Sequence, residues 1–280
     1  MKKICLLIAI SILMPAALLA AGQIVCTTYP LWLLTREITL GVPGNNVVML
    51  VPFDSGCAHE YTPSPRDLKQ VAAAGTLLVC HGSALDNHLK QAALKVNKNL
   101  SIAQVDRLQP GQDQHTFASP DTAVQLVREI ATALSKYDPD NQKIYQQRSD
   151  IIVADLDKIA RQIRQQSQLR HLTVIIQAPL FSNLLKLTGW EVIMLKKEKS
   201  AIPSPAELRK VLQWSRSCHA AAVIAEKNHH DRTVTAAAAE NKLPITELDM
   251  LISGPENPPA GYYQQTMREN CEKLRKISNL

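Results

Sequence analysis

Short apolar runs alternate with longer amphipathic runs along this chain, and the whole alternation occurs twice. The strand-length runs lie at 23–28, 46–52, 76–81 and 100–105, and again at 172–177, 190–195, 220–225 and 244–248. The helix-length patterns lie at 31–40, 65–74 and 83–95, and again at 179–188, 205–214, 232–240 and 262–276. Strands that alternate with helices are typical of parallel sheets covered by helices. We therefore predict an α/β fold of two (β/α)4-type lobes with mostly parallel sheets.

The most regular helix pattern lies between the two halves. We predict that it begins at Asp138 as a cap, with Pro139 in the first turn, and runs to about Ser167. At 1.5 Å per residue, roughly 28 residues span about 42 Å, which is longer than one lobe. We expect this helix to span both lobes and to limit their relative motion, although a surface helix of a single lobe is the alternative. The expected divisions are an N-terminal lobe at 22–120, connecting helices including the long one at 121–168, and a C-terminal lobe at 169–280.

The first residues of the chain determine the expected compartment. Lys2 and Lys3 precede an apolar run at 4–21 that contains Pro15 and ends in small residues. This pattern is typical of a cleaved signal peptide at 1–21, so we expect a periplasmic mature protein with no membrane insertion after cleavage. A retained membrane anchor is the alternative interpretation.

Composition excludes some classes of protein. The chain has 46% apolar residues, which suits a packed core, and its 31 basic and 25 acidic residues give a net charge of +6. This positive charge is scattered and forms no basic stripe that could follow a phosphate backbone. We therefore expect no nucleic-acid partner.

Export would place five cysteines in an oxidising compartment, where disulfides persist. They are Cys26, Cys57, Cys80, Cys218 and Cys271. Because five is odd, at least one thiol stays unpaired. Cys218 and Cys271 are the two in the C-terminal half, so a bridge between them is the simplest pairing. The other three then compete for a second bridge, and a Cys57 thiolate is also a possible ligand for a soft metal.

Two short segments carry residues suited to metal chemistry. CAHEYTP at 57–63 and QHTFASP at 114–120 each place a histidine two residues before an aromatic residue, with a proline following. His59 and His115 each follow a predicted strand across a loop. Open α/β sheets bind their ligands at this edge, beyond the carboxyl ends of the strands. A neutral imidazole there suits a divalent transition metal. The repeated context favours metal binding over two unrelated structural histidines.

The chain resembles the zinc- and manganese-binding receptors of bacterial ABC importers over nearly the whole mature length. The resemblance is carried by TTYP at 27–30, VP at 51–52, HEYTPSP at 59–65, DQHTF at 113–117, YDPDN at 137–141, AE at 225–226, LD at 248–249 and the segment from Tyr262 to Asn270. It implies a periplasmic, non-enzymatic protein, expected to be a monomer, that captures a divalent metal in the cleft between its lobes and delivers it to a membrane permease. Zinc is the expected cargo, with manganese or iron as alternatives.

The same resemblance implies a set of ligands. His59 and His115 match the family's histidines from the N-terminal lobe, and Asp249 matches its late carboxylate. The third position departs from the pattern, because Gln177 stands where the family has histidine or glutamate and could offer only a neutral carbonyl oxygen. Glu226, His81 and the pair His229-His230 are reserve candidates for completing the site.

Two other functions stay open on the sequence alone. One is a receptor of the same fold for an organic or chelated-metal ligand, which the loss of a third histidine would permit. The other is a periplasmic metal-dependent hydrolase with Glu226 as base, because three protein ligands and a water form a catalytic pattern.

Overall fold

The structure is a computed structural model that describes residues 23–56, 58–73, 75–108, 112–167, 170–195, 209, 213–214, 216–227 and 232–279. The predicted signal peptide, Cys57, His229-His230 and most of the predicted helix at 205–214 lie outside these residues. No helix within the described ranges is long and apolar enough to cross a membrane.

The N-terminal lobe is built on a parallel sheet in the order β2-β1-β3-β4. Its strands are β1 (Gln23–Cys26), β2 (Asn46–Met49), β3 (Leu77–Cys80) and β4 (Ser101–Gln104). Its helices are α1 (Tyr29–Ile38), α2 (Pro65–Leu68) and α3 (Asn87–Val96), and α2 continues as a 3-10 turn at Lys69–Val71. The central strands β1 and β3 are buried almost throughout, as expected for a parallel sheet covered on both faces.

The C-terminal lobe repeats this arrangement, with a parallel sheet in the order β6-β5-β7-β8. Its strands are β5 (Thr173–Ile176), β6 (Glu191–Met194), β7 (Ala222–Glu226) and β8 (Ile245–Leu248). Its helices are α6 (Ser182–Leu185), preceded by a 3-10 turn at Pro179–Phe181, then α7 (Arg232–Asn241) and α8 (Tyr262–Ser278). The duplicated α/β fold is confirmed, with all eight predicted strands present.

Two long helices join the lobes. Helix α4 (Pro120–Tyr137) and helix α5 (Gln142–Ser167) are connected by a 3-10 turn at Pro139–Asn141 and pack against each other. Helix α5 also contacts α1 in the N-terminal lobe and α8 in the C-terminal lobe, so the predicted spanning helix is confirmed. It begins later than predicted, because Asp138 precedes the 3-10 turn rather than the α-helix. The Asp138 carboxylate makes no capping bond and accepts instead from the Tyr145 hydroxyl at 2.6 Å and the Asn141 amide at 2.8 Å.

The predicted Cys218–Cys271 disulfide is wrong. Successive strand residues face opposite sides of a sheet, and the two cysteines pack on opposite sides of the C-terminal one. Cys218 packs against the cluster that contains Ile175 and Val223, whereas Cys271 belongs to the main core with Ile176. The other described cysteines, Cys26 and Cys80, are also free thiols. Burial raises the pKa of Cys271 to about 11, which disfavours the reactive thiolate form.

Candidate metal centre

The two histidine loops meet at the carboxyl edge of the N-terminal sheet. His59 lies in a 3-10 turn at Ala58–Glu60, and His115 immediately precedes another at Thr116–Ala118. Their ring centroids are 5.7 Å apart, with an angle of 66° between the ring planes. Two imidazoles bound to one tetrahedral Zn²⁺ through nitrogens roughly 2 Å away have centroids roughly 5 Å apart. The sequence-predicted histidines are therefore placed where one ion could bind both.

Asp113 orients the ring of His115. One carboxylate oxygen of Asp113 accepts the Nδ1–H of His115 at 2.8 Å and its backbone N–H at 3.0 Å. Because an ionised carboxylate only accepts hydrogen bonds, Nδ1 carries the proton and Nε2 is left to bind a metal. Burial alone would raise the pKa of Asp113, but the hydrogen bonds from His115 hold it below its usual range. Sequence reasoning missed Asp113, although its spacing of two residues from the histidine was visible.

His81 is part of the support beneath this loop and is excluded as a ligand. Its side chain is fully buried, with Nδ1 bonded to Asp106 at 2.8 Å and Nε2 to the Thr28 hydroxyl at 3.0 Å. Asp106 also accepts a hydrogen bond from Thr116 at 2.7 Å, next to His115. The Phe117 ring lies 5.5 Å from the His81 ring and 6.0 Å from the His115 ring. With both nitrogens of His81 bonded inside the lobe, neither is available to a metal.

Gln177 and Glu226 lie together at the carboxyl edge of the C-terminal sheet. Gln177 directly follows β5, and its side-chain oxygen accepts the backbone N–H of Glu226 at 3.3 Å. Glu226 is the last residue of β7 and is buried, with one carboxylate oxygen accepting the N–H of Met250 at 3.2 Å. The oxygen of Gln177 that could bind a metal is thus already engaged with the end of the neighbouring strand.

Asp249 directly follows β8 and is held firmly in place. Asn270, buried on α8, accepts the N–H of Asp249 at 3.0 Å and donates to its carbonyl at 2.7 Å. One carboxylate oxygen of Asp249 accepts the N–H of Leu251 at 2.9 Å, and the other pairs with the Lys227 ammonium at 3.3 Å. The charge of Asp249 raises the pKa of Lys227 above its usual range. Neither Asn270 nor Lys227 was singled out as functional from the sequence.

The structure does not bring the whole predicted set together. Within the described part of the chain, no three His, Cys, Asp or Glu side chains form a group that could hold a metal. The N-terminal pair, His59 and His115, is thus one half of the candidate centre, and Asp249 with Gln177 is the other. The four-residue ligand set stays a prediction.

Hydrogen bonds between the lobes hold the two halves of the candidate centre close to each other. The Asn183 amide on α6 donates to the His115 carbonyl at 3.1 Å, and the Tyr263 hydroxyl on α8 donates to the Phe117 carbonyl. On the other side of the cleft, the Tyr29 hydroxyl donates to the Pro255 carbonyl at 3.0 Å. The histidine loop of the N-terminal lobe therefore rests directly on the C-terminal lobe.

The family model described as "ZnuA: Zinc-uptake complex component A periplasmic" matches residues 24–277. The chain belongs to this ZnuA family.

Individual members of the family are distant in sequence. The high-affinity zinc uptake system protein ZnuA of Bacillus subtilis (strain 168) is 23% identical, over 90% of this chain and 86% of that protein. The manganese ABC transporter substrate-binding lipoprotein PsaA of Streptococcus mitis is 21% identical, over 85% of this chain and 84% of that protein. The solved structure of FpvC from Pseudomonas aeruginosa in complex with Ni²⁺ superposes with a TM-score of 0.81 at 20% identity, over 92% of this chain and 97% of that one. The fold is therefore that of metal-binding receptors.

Proposed function

We propose that this ZnuA-family chain is a periplasmic solute-binding protein that captures a divalent transition metal and delivers it to the membrane permease of an ABC importer. The main support for the proposal is the pair of imidazoles, His59 and His115, whose ring centroids lie 5.7 Å apart at the carboxyl edge of the N-terminal sheet. His115 is oriented by Asp113 as metal-binding histidines usually are. The metal is cargo, and no catalytic step is assigned to it.

The proposed ligands are His59, His115 and Asp249, with Gln177 as a neutral fourth donor or its place taken by water. Two imidazoles and a carboxylate suit Zn²⁺, while exchange of an imidazole for an amide oxygen makes the set richer in oxygen and more acceptable to Mn²⁺ or Fe²⁺. Relatives named for zinc and for manganese both occur among the matches. Zinc is the cargo that we propose first.

The comparisons favour a metal over an organic cargo. Relatives that match most of the chain are named for zinc and for manganese. The receptor for an organic or chelated-metal ligand is therefore the weaker candidate. The hydrolase is weaker still, because the family model describes an uptake component and Glu226 is buried at the end of β7.

We propose that the mature chain works in the periplasm as a monomer, after removal of the signal peptide at 1–21, and that the permease receives the metal-loaded form. Support for an extracytoplasmic site comes from the description of the family as periplasmic.

A thermal melt of the chelator-stripped mature protein, titrated with Zn²⁺, Mn²⁺ and Fe²⁺, tests the proposed function. Ligand at 100 times Kd stabilises the native state by about 2.7 kcal/mol, which for a chain of this size raises Tm by roughly 5–10 °C. The double variant His59→Ala/His115→Ala should lose this rise. His171→Ala is the matched control, because it removes an exposed imidazole before β5, at the opposite edge of the C-terminal sheet. If none of the three metals raises Tm, metal capture is excluded.

A further inference from the structure

Lys227 and Asp249 face each other across the ends of neighbouring strands. The last register pair of β7 and β8 is Glu226 with Leu248, and the N–H of Lys227 donates to the Leu248 carbonyl at 3.0 Å. The next pair along the ladder is therefore Lys227 with Asp249. Their ion pair at 3.3 Å follows from the register of the sheet.

Lys227 occupies the oxygen of Asp249 that has no backbone partner. One oxygen of this carboxylate is held by the N–H of Leu251, and the backbone of Asp249 is held on both sides by Asn270. These bonds limit rotation of the carboxylate. The oxygen without a backbone partner is the one that accepts the Lys227 ammonium.

We propose that Lys227 is a built-in competitor for the metal, bound to Asp249 in the empty receptor and displaced from it when the cargo binds. This inference rests on the proposed function and adds a residue that sets the affinity. A divalent cation and an ammonium group repel each other strongly at the separation that one carboxylate oxygen would impose, so they cannot share it. Metal binding therefore requires Lys227 to leave, and the free energy of the ion pair is subtracted from the affinity.

The Lys227 side chain is free to move away from Asp249. Its side chain is 43% exposed, against 15% for that of Asp249, so the lysine is the partner free to move. Together with the charge of Asp249, the negative charge of Glu269, on α8, helps to raise the pKa of Lys227 above its usual range. Glu269 is exposed on α8, one position before Asn270. Displaced from Asp249, the ammonium can turn towards solvent on the side of the C-terminal lobe where the charge of Glu269 favours it.

The decisive measurement is the Kd for Zn²⁺ and Mn²⁺, obtained by competition with a chromophoric chelator on the metal-free mature protein. Lys227→Gln should bind either metal about three- to five-fold more tightly than the wild type, because the competing charge is gone and a partly exposed ion pair is weak. Lys227→Arg should bind no more tightly than wild type, because a guanidinium keeps the charge and pairs well with carboxylates. Lys276→Gln is the matched control, since it removes the same charge from an exposed position on the same lobe.

A double-mutant cycle shows whether Lys227 acts through Asp249. In the Asp249→Asn background, Lys227→Gln should bring a smaller gain in affinity than it brings with Asp249 present, because the ion pair that metal binding must break is already absent. An unchanged or weaker affinity of Lys227→Gln alone, or an equal gain for Lys276→Gln, would overturn the inference. If the wild type binds neither metal, the proposed function fails; if it binds metal and Lys227→Gln brings no gain, the competitor role alone fails.

Discussion

Asp113 illustrates how one neighbouring carboxylate can decide what a histidine does. It holds Nδ1 of His115 at 2.8 Å and leaves Nε2 pointing away from the bond. Removing such a partner frees the ring to rotate and to change tautomer, which typically weakens metal binding by about 10–100-fold. We therefore expect Asp113→Ala to raise Kd for the cargo metal by that factor, measured by chelator competition.

The control for this prediction is another aspartate. Asp121→Ala removes a half-exposed carboxylate that pairs with Arg164 on the surface. It should leave Kd within two-fold of wild type, because exposed ion pairs contribute little. Equal affinities for Asp113→Ala and wild type would show that the bond to His115 has no role in binding.

Residue type alone could not distinguish the candidate ligands of this chain from its structural histidine. His59 and His115 were found through their repeated loop context, whereas His81 stayed a reserve ligand until the structure showed both its nitrogens bonded to Asp106 and Thr28. The bonding of a histidine depends on strands far apart in the sequence, here β1, β3 and the loop after β4. The pairing of Lys227 with Asp249 was hidden for the same reason, since it depends on the register of β7 against β8.

At the scale of elements, strands were more predictable than short helices. A buried parallel strand is a continuous apolar run, so each predicted strand overlaps the observed one and differs only by residues at its ends. The predicted helix at 65–74 was less accurate: Ser64 and Asp67 form a capping box that begins α2, but the helix tightens to a 3-10 turn from Lys69. Periodicity detects the apolar face of such a segment, and both kinds of turn can present that face.

Gly254 marks a contact between elements that allows no side chain. A Cβ at this position would lie 2.6 Å from ring atoms of Tyr29, the first residue of α1. The Tyr29 ring is itself packed edge-on against Phe53, whose carbonyl accepts the N–H of Gly254 at 3.2 Å. We expect Gly254→Ala to lower the free energy of unfolding by about 1–3 kcal/mol, the usual cost of overpacking.

Urea denaturation measures this cost as a lower midpoint with an unchanged slope. Ser253→Ala, which changes the preceding residue of the same loop, should leave the midpoint nearly unchanged. A Gly254→Ala midpoint equal to that of wild type would mean that the Tyr29 ring yields easily, and that this contact between the lobes is loose.

At the scale of the whole molecule, the connection between the lobes limits what metal loading can change. Helix α5 contacts α1 and α4 on one side and α8 on the other, and the exposed ion pair between Arg268 and Asp155 joins α8 to it. Further bonds cross the cleft directly, from Asn183 to His115 and from Tyr29 to Pro255. A rigid helix of 26 residues, about 39 Å long, is a poor hinge. Closure must therefore come from loops and side chains.

Small-angle X-ray scattering tests this expectation on metal-free and metal-loaded mature protein. A compact chain of this length has a radius of gyration of roughly 18 Å, and we expect loading to change it by less than about 1 Å. Amide hydrogen exchange should meanwhile slow in the loops that carry His59 and His115, because binding removes local opening there. The double variant His59→Ala/His115→Ala, given the same metal, should show neither effect. A decrease of several ångströms on loading would require the lobes to swing together about α5, and would contradict the limit that this helix sets.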